Sequence, residues 1–489
     1  MPSIASFFGL EEPTPEAISL VRKLSLLMPA FAASFMISTT FWMIYIAESL
    51  GGGDYIAGLT LVGVLVVIQL VIQTLLDYPT GALGDHIGQR YVIASALLCY
   101  AVAFYATSIV TENSPFFMFV IIYVMMGLGA SQESGAWGAW FDNNYRVAVP
   151  NDVDRKQYGM LMGRVNFVFE VVATLVLIPG AWLALIFART WVFQIQSVLA
   201  VLLAVVVIFV VRDFPEVEGA RKKEKDESDT SYVSILKDGV RFLVSDKFVM
   251  FSTLGTVVMF SAGMVWWNLL LFPLYFTYLL TDVAVSSYRT MAFVPNAIAQ
   301  ERSGIWSRKF DPVKWIPRFR FMQFCGVLFY LAVAFLTFTF PAPSSSGEIL
   351  RLVIPFTDLA IIEMPAASVL PMALLLIIFG TVDFFGAFAN ILTQRVMIDV
   401  IPNRIRNSMY SLQPTLTIIL SIPLIAFFGW FIPLYGFSYT FLLLGLIALI
   451  GTLLIKKGFG YPIPKAEDLD QLLSVVDDSI SSEEFVDDF

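Results

Sequence analysis

Pro79, Thr80, Gly81, Ala82, Leu83, Gly84, Asp85, His86, Ile87, Gly88, Gln89 and Arg90 form a short glycine-rich stretch between two long apolar runs, residues 56–77 and 91–110. A helix crossing a hydrocarbon layer about 30 Å thick needs roughly 20 apolar residues, so both runs are membrane spans and the stretch is the turn joining them. Gly81, Gly84 and Gly88 permit sharp turning and close helix approach. Asp85 supplies a fixed negative charge of the kind that stabilises a helix N-terminus whose first amides lack partners. Asp77 stands just before the turn and Arg90 just after it.

Working outward, comparable runs lie near 24–48, 116–141, 160–185 and 190–211, and then the composition changes. Arg221, Lys222, Lys223, Glu224, Lys225, Asp226 and Glu227 mark a charged linker. Further runs follow near 248–280, 285–300, 319–340, 368–395, 408–432 and 434–455, giving twelve spans as six plus six. The eighth, 285–300, is short and holds Arg289, Pro295 and Asn296, which reads as partly re-entrant or buried among other helices. The organisation expected is a first six-helix bundle over 1–212, a linker over 213–247, a second bundle over 248–460 and an acidic, solvated tail over 461–489.

Composition agrees with this reading. The 489 residues are 58% hydrophobic and 14% charged, against roughly 25% charged in a soluble domain. Of the 30 Lys and Arg, one face of a twelve-span chain receives only Arg189, Arg289 and Arg351, so both termini are expected in the cytoplasm, in a plasma or inner membrane. Met1 to Arg22 lacks the pattern of a cleavable signal peptide. Cys99, Cys325 and the single histidine, His86, are too few for a metal cage or a disulfide framework, and no cofactor is expected. Scattered basic residues exclude a nucleic-acid footprint. The absence of a phosphate-binding loop argues against an ATP-driven pump, and no nucleophile stands with a base as in an enzyme.

The run Gly81, Asp85, His86, Gly88, Arg90 resembles the loop signature of the major facilitator superfamily, with His86 and Gln89 where basic residues are usual. Ser134, Gly135, Ala136, Trp137, Gly138, Ala139, Trp140, Phe141 and Asp142 are similar to a block of its efflux-type branches. Their small-residue spacing, Ser131, Gly135 and Ala139, also suits close packing of membrane helices. Ser303 to Phe310 falls where a second-half echo of the loop belongs. The resemblance implies an all-α fold of two six-helix bundles, alternating access and a functional monomer. It implies that Asp85 meets the start of the eleventh span, Pro402 to Ser408, and that Arg90 pairs with Asp142. It also implies that spans one, four, seven and ten line the substrate path.

Ionisable groups inside a bilayer cost roughly 2.5–3.5 kcal/mol on insertion scales and are therefore candidates for function. Asp383, Ala387, Asn390 and Gln394 recur at helical spacing as one polar stripe of span ten, and Asp383 reads as the site of a coupling proton or a cationic solute. Glu133 shares a face with Trp137 and Trp140, an arrangement suited to an organic cation, with Arg164 as its structural alternative partner. Trp42 and Tyr45 in span one, and Asn268 and Tyr275 around Pro273 in span seven, are further candidates. Glu48 and Asp54 read as solvated. No basic residue appears near the middle of spans one, four, seven or ten, which argues against an anionic solute. The function expected is secondary, proton-coupled transport of a small solute, with export of an amphiphilic or cationic compound favoured. Uptake or facilitated diffusion of a neutral metabolite, and a non-transporting receptor or scaffold, are the rivals.

Overall fold

The computed structural model describes residues 4–10, 13–152, 156–224, 232–306, 309–344, 347–402, 406–467 and 469. The acidic tail beyond these residues, part of the Ser303 to Phe310 echo and residues 403–405 before the eleventh span lie outside them. The chain divides into two compact units. One comprises Met1–Asp229, Tyr275–Met291 and Ile349–Pro365; the other comprises Thr230–Leu274, Ala292–Glu348 and Ala366–Phe489.

The helices before the linker are α1 (Ile4–Phe7), α2 (Pro15–Met36), α3 (Trp42–Leu50), α4 (Tyr55–Ile87), α5 (Gln89–Ile109), α6 (Phe116–Ala148), α7 (Lys156–Leu175), α8 (Leu177–Ile186) and α9 (Arg189–Val210). Their starts are set by side chains that accept orphan amides. Thr14 caps α2 ahead of Pro15, and Asp54, expected to be merely solvated, accepts from Ile56 and Ala57 to cap α4. Gly88, at φ +100°, separates α4 from α5, a conformation that a residue with a Cβ adopts only with strain. The core of this unit is built from Leu20, Leu24, Leu97, Trp140, Phe141, Leu161 and Val207.

Within the stretch read as the linker lie α10 (Pro215–Glu224) and α11 (Tyr232–Ser245), and after it come α12 (Lys247–Val265), a π-helical turn (Trp266–Leu270), α13 (Leu271–Leu279) and α14 (Asp282–Trp306). They are followed by α15 (Pro312–Met322), α16 (Val327–Thr339), α17 (Val369–Val400) and α18 (Arg406–Gly458). The π turn precedes Pro273, whose missing N–H and ring bulk disrupt the ordinary helical ladder. Phe319, Phe388, Leu392, Val396 and Ile455 anchor the core of the second unit.

Among the described residues, ten helical segments are long and apolar enough to cross a membrane, so the chain is an integral, multi-pass membrane protein. The twelve expected spans are consistent with these ten. Gly436, at φ 75° and ψ 178°, interrupts α18 and divides the eleventh span from the twelfth. The eighth span, read as partly re-entrant or buried among other helices, is α14, a continuous helix of 25 residues with Pro295 inside it, which removes the re-entrant alternative. Its polar residues lowered its hydropathy without ending the helix. A second departure from an all-helical chain is an antiparallel hairpin of β1 (Ile349–Val353) and β2 (Ala360–Pro365).

Close packing falls where a side chain would not fit. A Cβ on Gly255 would lie 2.6 Å from the Gly451 carbonyl, and one on Gly451 would lie 2.8 Å from the Gly255 carbonyl. The two backbones of α12 and α18 therefore touch, the small-residue mode of membrane helix packing. The same mode joins α6 to α4 at Gly127, where a Cβ would lie 2.7 Å from the Gln69 carbonyl. It does not use Gly135, as its spacing had led us to expect, because a Cβ there meets nothing within 4 Å. Gly255→Val is accordingly expected to cost about 1–3 kcal/mol by overpacking. Gly135→Ala is expected to stay within about 0.5 kcal/mol. Thermal unfolding of the two purified variants in one detergent tests the contrast, and equal midpoints would refute it.

Candidate functional site

The stretch read as a turn is instead helical as far as Ile87, within α4, and its residues hold α4 to α6. Thr80 Oγ1 donates to the Ser131 carbonyl at 2.8 Å, and the Ser134 hydroxyl donates to the Asp77 carboxylate. Asp77 is exposed apart from this bond, and Gly81 faces open space. Arg90 donates to the Tyr91 hydroxyl at 3.0 Å and lies over that ring. Asp142 accepts from Arg146 at 2.8 Å. The expected Arg90–Asp142 pair is thus replaced by two local ones, since residues one turn or less apart meet with less ordering of their side chains. The side chain of Asp85, residues 403–405 and the side chains at the start of α18 lie outside the described residues.

Glu133 on α6 is half-buried and accepts from the Tyr100 hydroxyl of α5 at 2.9 Å. Arg164, the partner considered from the sequence, instead donates to the Ser6 carbonyl and lies over Phe7. Trp137 and Trp140 do flank Glu133 along the helix, and their indole N–H groups are buried with no acceptor among the described residues. Trp42 Nε1 donates to Thr107 and Tyr45 Oη to the Val110 carbonyl at 2.6 Å, so both polar tips are committed to the third span. The first span is broken between α2 and α3, and Gln196 from α9 donates to the carbonyls of Ser34 and Phe35 that the break leaves free.

The sequence missed an ionic cluster at Arg189. Its guanidinium donates two parallel bonds to Asp282, at 2.7 and 2.8 Å, and a third to Glu48, with the Phe276 ring against it. The residues come from α9, α14 and α3, and only 19% of the Arg189 side chain is exposed. Glu48 is therefore paired rather than solvated. Thr40 and Ser286 hydrogen-bond at 2.8 Å, and Tyr55 and Thr277 at 2.6 Å. Trp182 Nε1 donates to the Ala360 carbonyl of β2 at 2.7 Å.

In the second unit, Asp383 and Ala387 on α17 are half-buried, and Asn390 and Gln394 are exposed, so the stripe grades from partial burial to the surface. Asn268 lies in the π turn and donates to the Met264 carbonyl. Tyr275, grouped with the first unit, is buried edge-on against Tyr288 at 5.0 Å.

A basic group also stands against span ten, contributed by span nine rather than by one of the four expected path helices. Arg320 reaches from the last turn of α15 and donates to Gln323 Oε1 at 2.9 Å, Asn390 Oδ1 at 2.9 Å and Thr393 Oγ1 at 3.0 Å. It is 3% exposed, and its Nε atom has no acceptor among the described residues. The signal was hidden because Arg318 and Arg320 read as the basic flank of a span, which is where lysines and arginines ordinarily collect.

Arg189→Gln leaves two carboxylates facing each other without their cation and is expected to cost about 1–3 kcal/mol. Replacing Glu48, Arg189 and Asp282 together by Gln, Gln and Asn is expected to cost less than the single change, because no charge then lacks a partner. Thermal unfolding of both variants decides, and an unaltered single variant would show the cluster to be inert.

The family model described as the Major Facilitator Superfamily matches residues 24–357. No curated protein matches the chain. Among solved structures, a mutant of the nucleoside transporter NupG has a TM-score of 0.63 at 10% identity, covering 89% of this chain and 100% of its own. A D-xylose–proton symporter has a TM-score of 0.58 at 13% identity, covering 91% and 98%. The xylose transporter XylE from E. coli has 0.54 at 13%, with the same coverage. These likenesses establish the fold. With a family match over more than half its length and a helical architecture shared with transporters of known structure, the chain belongs to the major facilitator superfamily.

Proposed function

We propose that this protein is a proton-coupled secondary transporter that moves an amphiphilic solute by alternating access, with export the preferred direction. It acts as a monomer with both termini in the cytoplasm. The observation that carries the coupling is Asp383, a half-buried carboxylate in the middle of a membrane helix, on the same stripe as the exposed amides of Asn390 and Gln394. An acid at that depth is costly and is retained where it can take up and release a proton. Glu133 supports a cationic group on the solute, being a second intramembrane carboxylate in the same sequence neighbourhood as Trp137 and Trp140.

The turn residues Asp77, Gly81, Asp85, Gly88 and Arg90 would form one gate, as in the family, and their retention favours transport over a scaffold role. The three-residue cluster at Arg189 would act at another. Charge-assisted, bidentate contacts of this kind are strong enough to hold one state and specific enough to be lost as a unit. Uptake of a neutral metabolite is the second reading. The structural neighbours include a nucleoside transporter and a xylose–proton symporter, and at 10–13% identity they bear on the fold rather than on the solute.

Proteoliposomes carrying an internal pH dye test the proposal with cationic, neutral and anionic compounds. Wild type should show compound-dependent proton flux, and Asp383→Asn should reduce it at least tenfold while retaining the wild-type elution profile. Full coupled flux in Asp383→Asn would remove Asp383 from the mechanism.

A further inference from the structure

We propose that the break in the ninth span is a binding site for an anionic group, a carboxylate or a phosphate on the transported solute, with Arg320 as the charge that recognises it. The proposal rests on the transporter reading and names a chemical feature of its solute.

The ninth span does not cross as one helix. α15 ends at Met322, residues 323–326 run without helical structure, and α16 begins at Val327. Cys325 within the break has φ 56°, a left-handed conformation that a side chain disfavours. Non-helical backbone at membrane depth survives where it is buried in protein or lines a cavity, and interrupted helices mark the solute sites of many transporters. Here the interruption is braced by a bond from the Phe324 amide to the Val382 carbonyl on α17.

Arg320 sits at this interruption, and all its bonding partners are neutral. Gln323, Asn390 and Thr393 each contribute an uncharged oxygen, and no carboxylate pairs with the guanidinium among the described residues. The nearby C-terminus of α15 offers only about half an elementary charge, less than the guanidinium carries. The ring of Phe260, 5.6 Å away, adds a weak attraction and no net charge. Three of the guanidinium's five donors are engaged, and the buried Nε is among those with no acceptor among the described residues.

A mere tie between α15 and α17 would not need a permanent charge, because a neutral amide could donate to the same three oxygens. What the charge adds is affinity for an anion. A guanidinium fork matches a carboxylate or phosphate in shape as well as in sign. Access is through Asn390, which is exposed although its oxygen reaches Arg320. Asn390 belongs to the same stripe as Gln394 and Asp383, so an anion arriving along that stripe would meet Asn390 first and displace its oxygen from the guanidinium. The sequence argued against anionic solutes because the four expected path helices carry no central basic residue. Arg320 overcomes that objection by reaching span ten from span nine.

The test is binding, measured without flux. Unfolding temperatures of the purified full chain are followed in detergent while benzoate, succinate or inorganic phosphate is titrated at matched ionic strength. Wild type should be stabilised saturably by at least one of them. Arg320→Gln should bind it about 10- to 100-fold more weakly, the loss that goes with a charge-assisted bond. Should Arg320→Gln not fold, Asn390→Ala serves instead. It keeps the guanidinium and frees one of its donors, so binding should persist or tighten.

No saturable response to any of the three anions in wild type would overturn the site, as would equal affinity in Arg320→Gln or loss of binding in Asn390→Ala. Stabilisation seen only in nanodiscs containing phosphatidylglycerol, compared with phosphatidylcholine alone, would assign the site to a lipid headgroup and overturn the solute proposal. Arg320-dependent binding in a protein that moves no compound would support the site while refuting transport. Proton-coupled flux without anion binding would do the reverse.

Discussion

Inside a hydrocarbon layer every backbone amide and carbonyl must find its partner within the protein, and the rest of this structure follows from that constraint. It explains why the chain is almost wholly helical and why each departure from the helix is braced. The gap between α2 and α3 leaves carbonyls that Gln196 serves from α9. The gap between α15 and α16 is tied to α17 through the Val382 carbonyl. Where Pro273 removes an amide, the ladder passes through a π turn instead of opening. The short hairpin pairs its own strands, and side chains of Trp182 and Ser287 take up carbonyls of β2.

The same scarcity of solvent separates two kinds of buried arginine. Arg189 has two carboxylates, one of them gripped through parallel bonds, so the cost of taking the guanidinium out of water is offset by charge. Arg320 has amide and hydroxyl oxygens only. Burial of an ion costs several kcal/mol even after relaxation, and neutral acceptors return less than a counter-ion does. Two chemically identical side chains thus present opposite situations, one self-contained and one with unspent positive charge. Glu133 is intermediate: a half-buried acid with one hydroxyl donor, Tyr100.

Local signals in this chain were read well because they depend on neighbours in sequence. Hydropathy located the spans, and Gly88 marked the stop between α4 and α5 through a conformation that belongs to one residue. Pro295 left two readings open, since a proline among polar residues lowers the hydropathy of α14 without ending the helix. Gly135 misled. Small-residue spacing shows which face of α6 is smooth, while the neighbour pressed against it at Gly127 is chosen by how α4 crosses. Arg90 and Asp142 were matched through the family's pattern, and each found a closer partner on its own helix.

By itself the sequence determined that the protein crosses the membrane many times, that its first half carries the superfamily's loop residues, and that a few acids lie at membrane depth. These properties are sums over consecutive residues, or patterns within one turn, and they survive any arrangement of the helices. Only the tertiary structure decided which charges have partners. Arg320 meets Asn390 across 70 positions, Arg189 meets Glu48 across 141, and Thr40 meets Ser286 across 246. At such separations no periodicity links the residues, and a side chain that reads as a solvated flank can be enclosed by helices whose packing the linear order does not express.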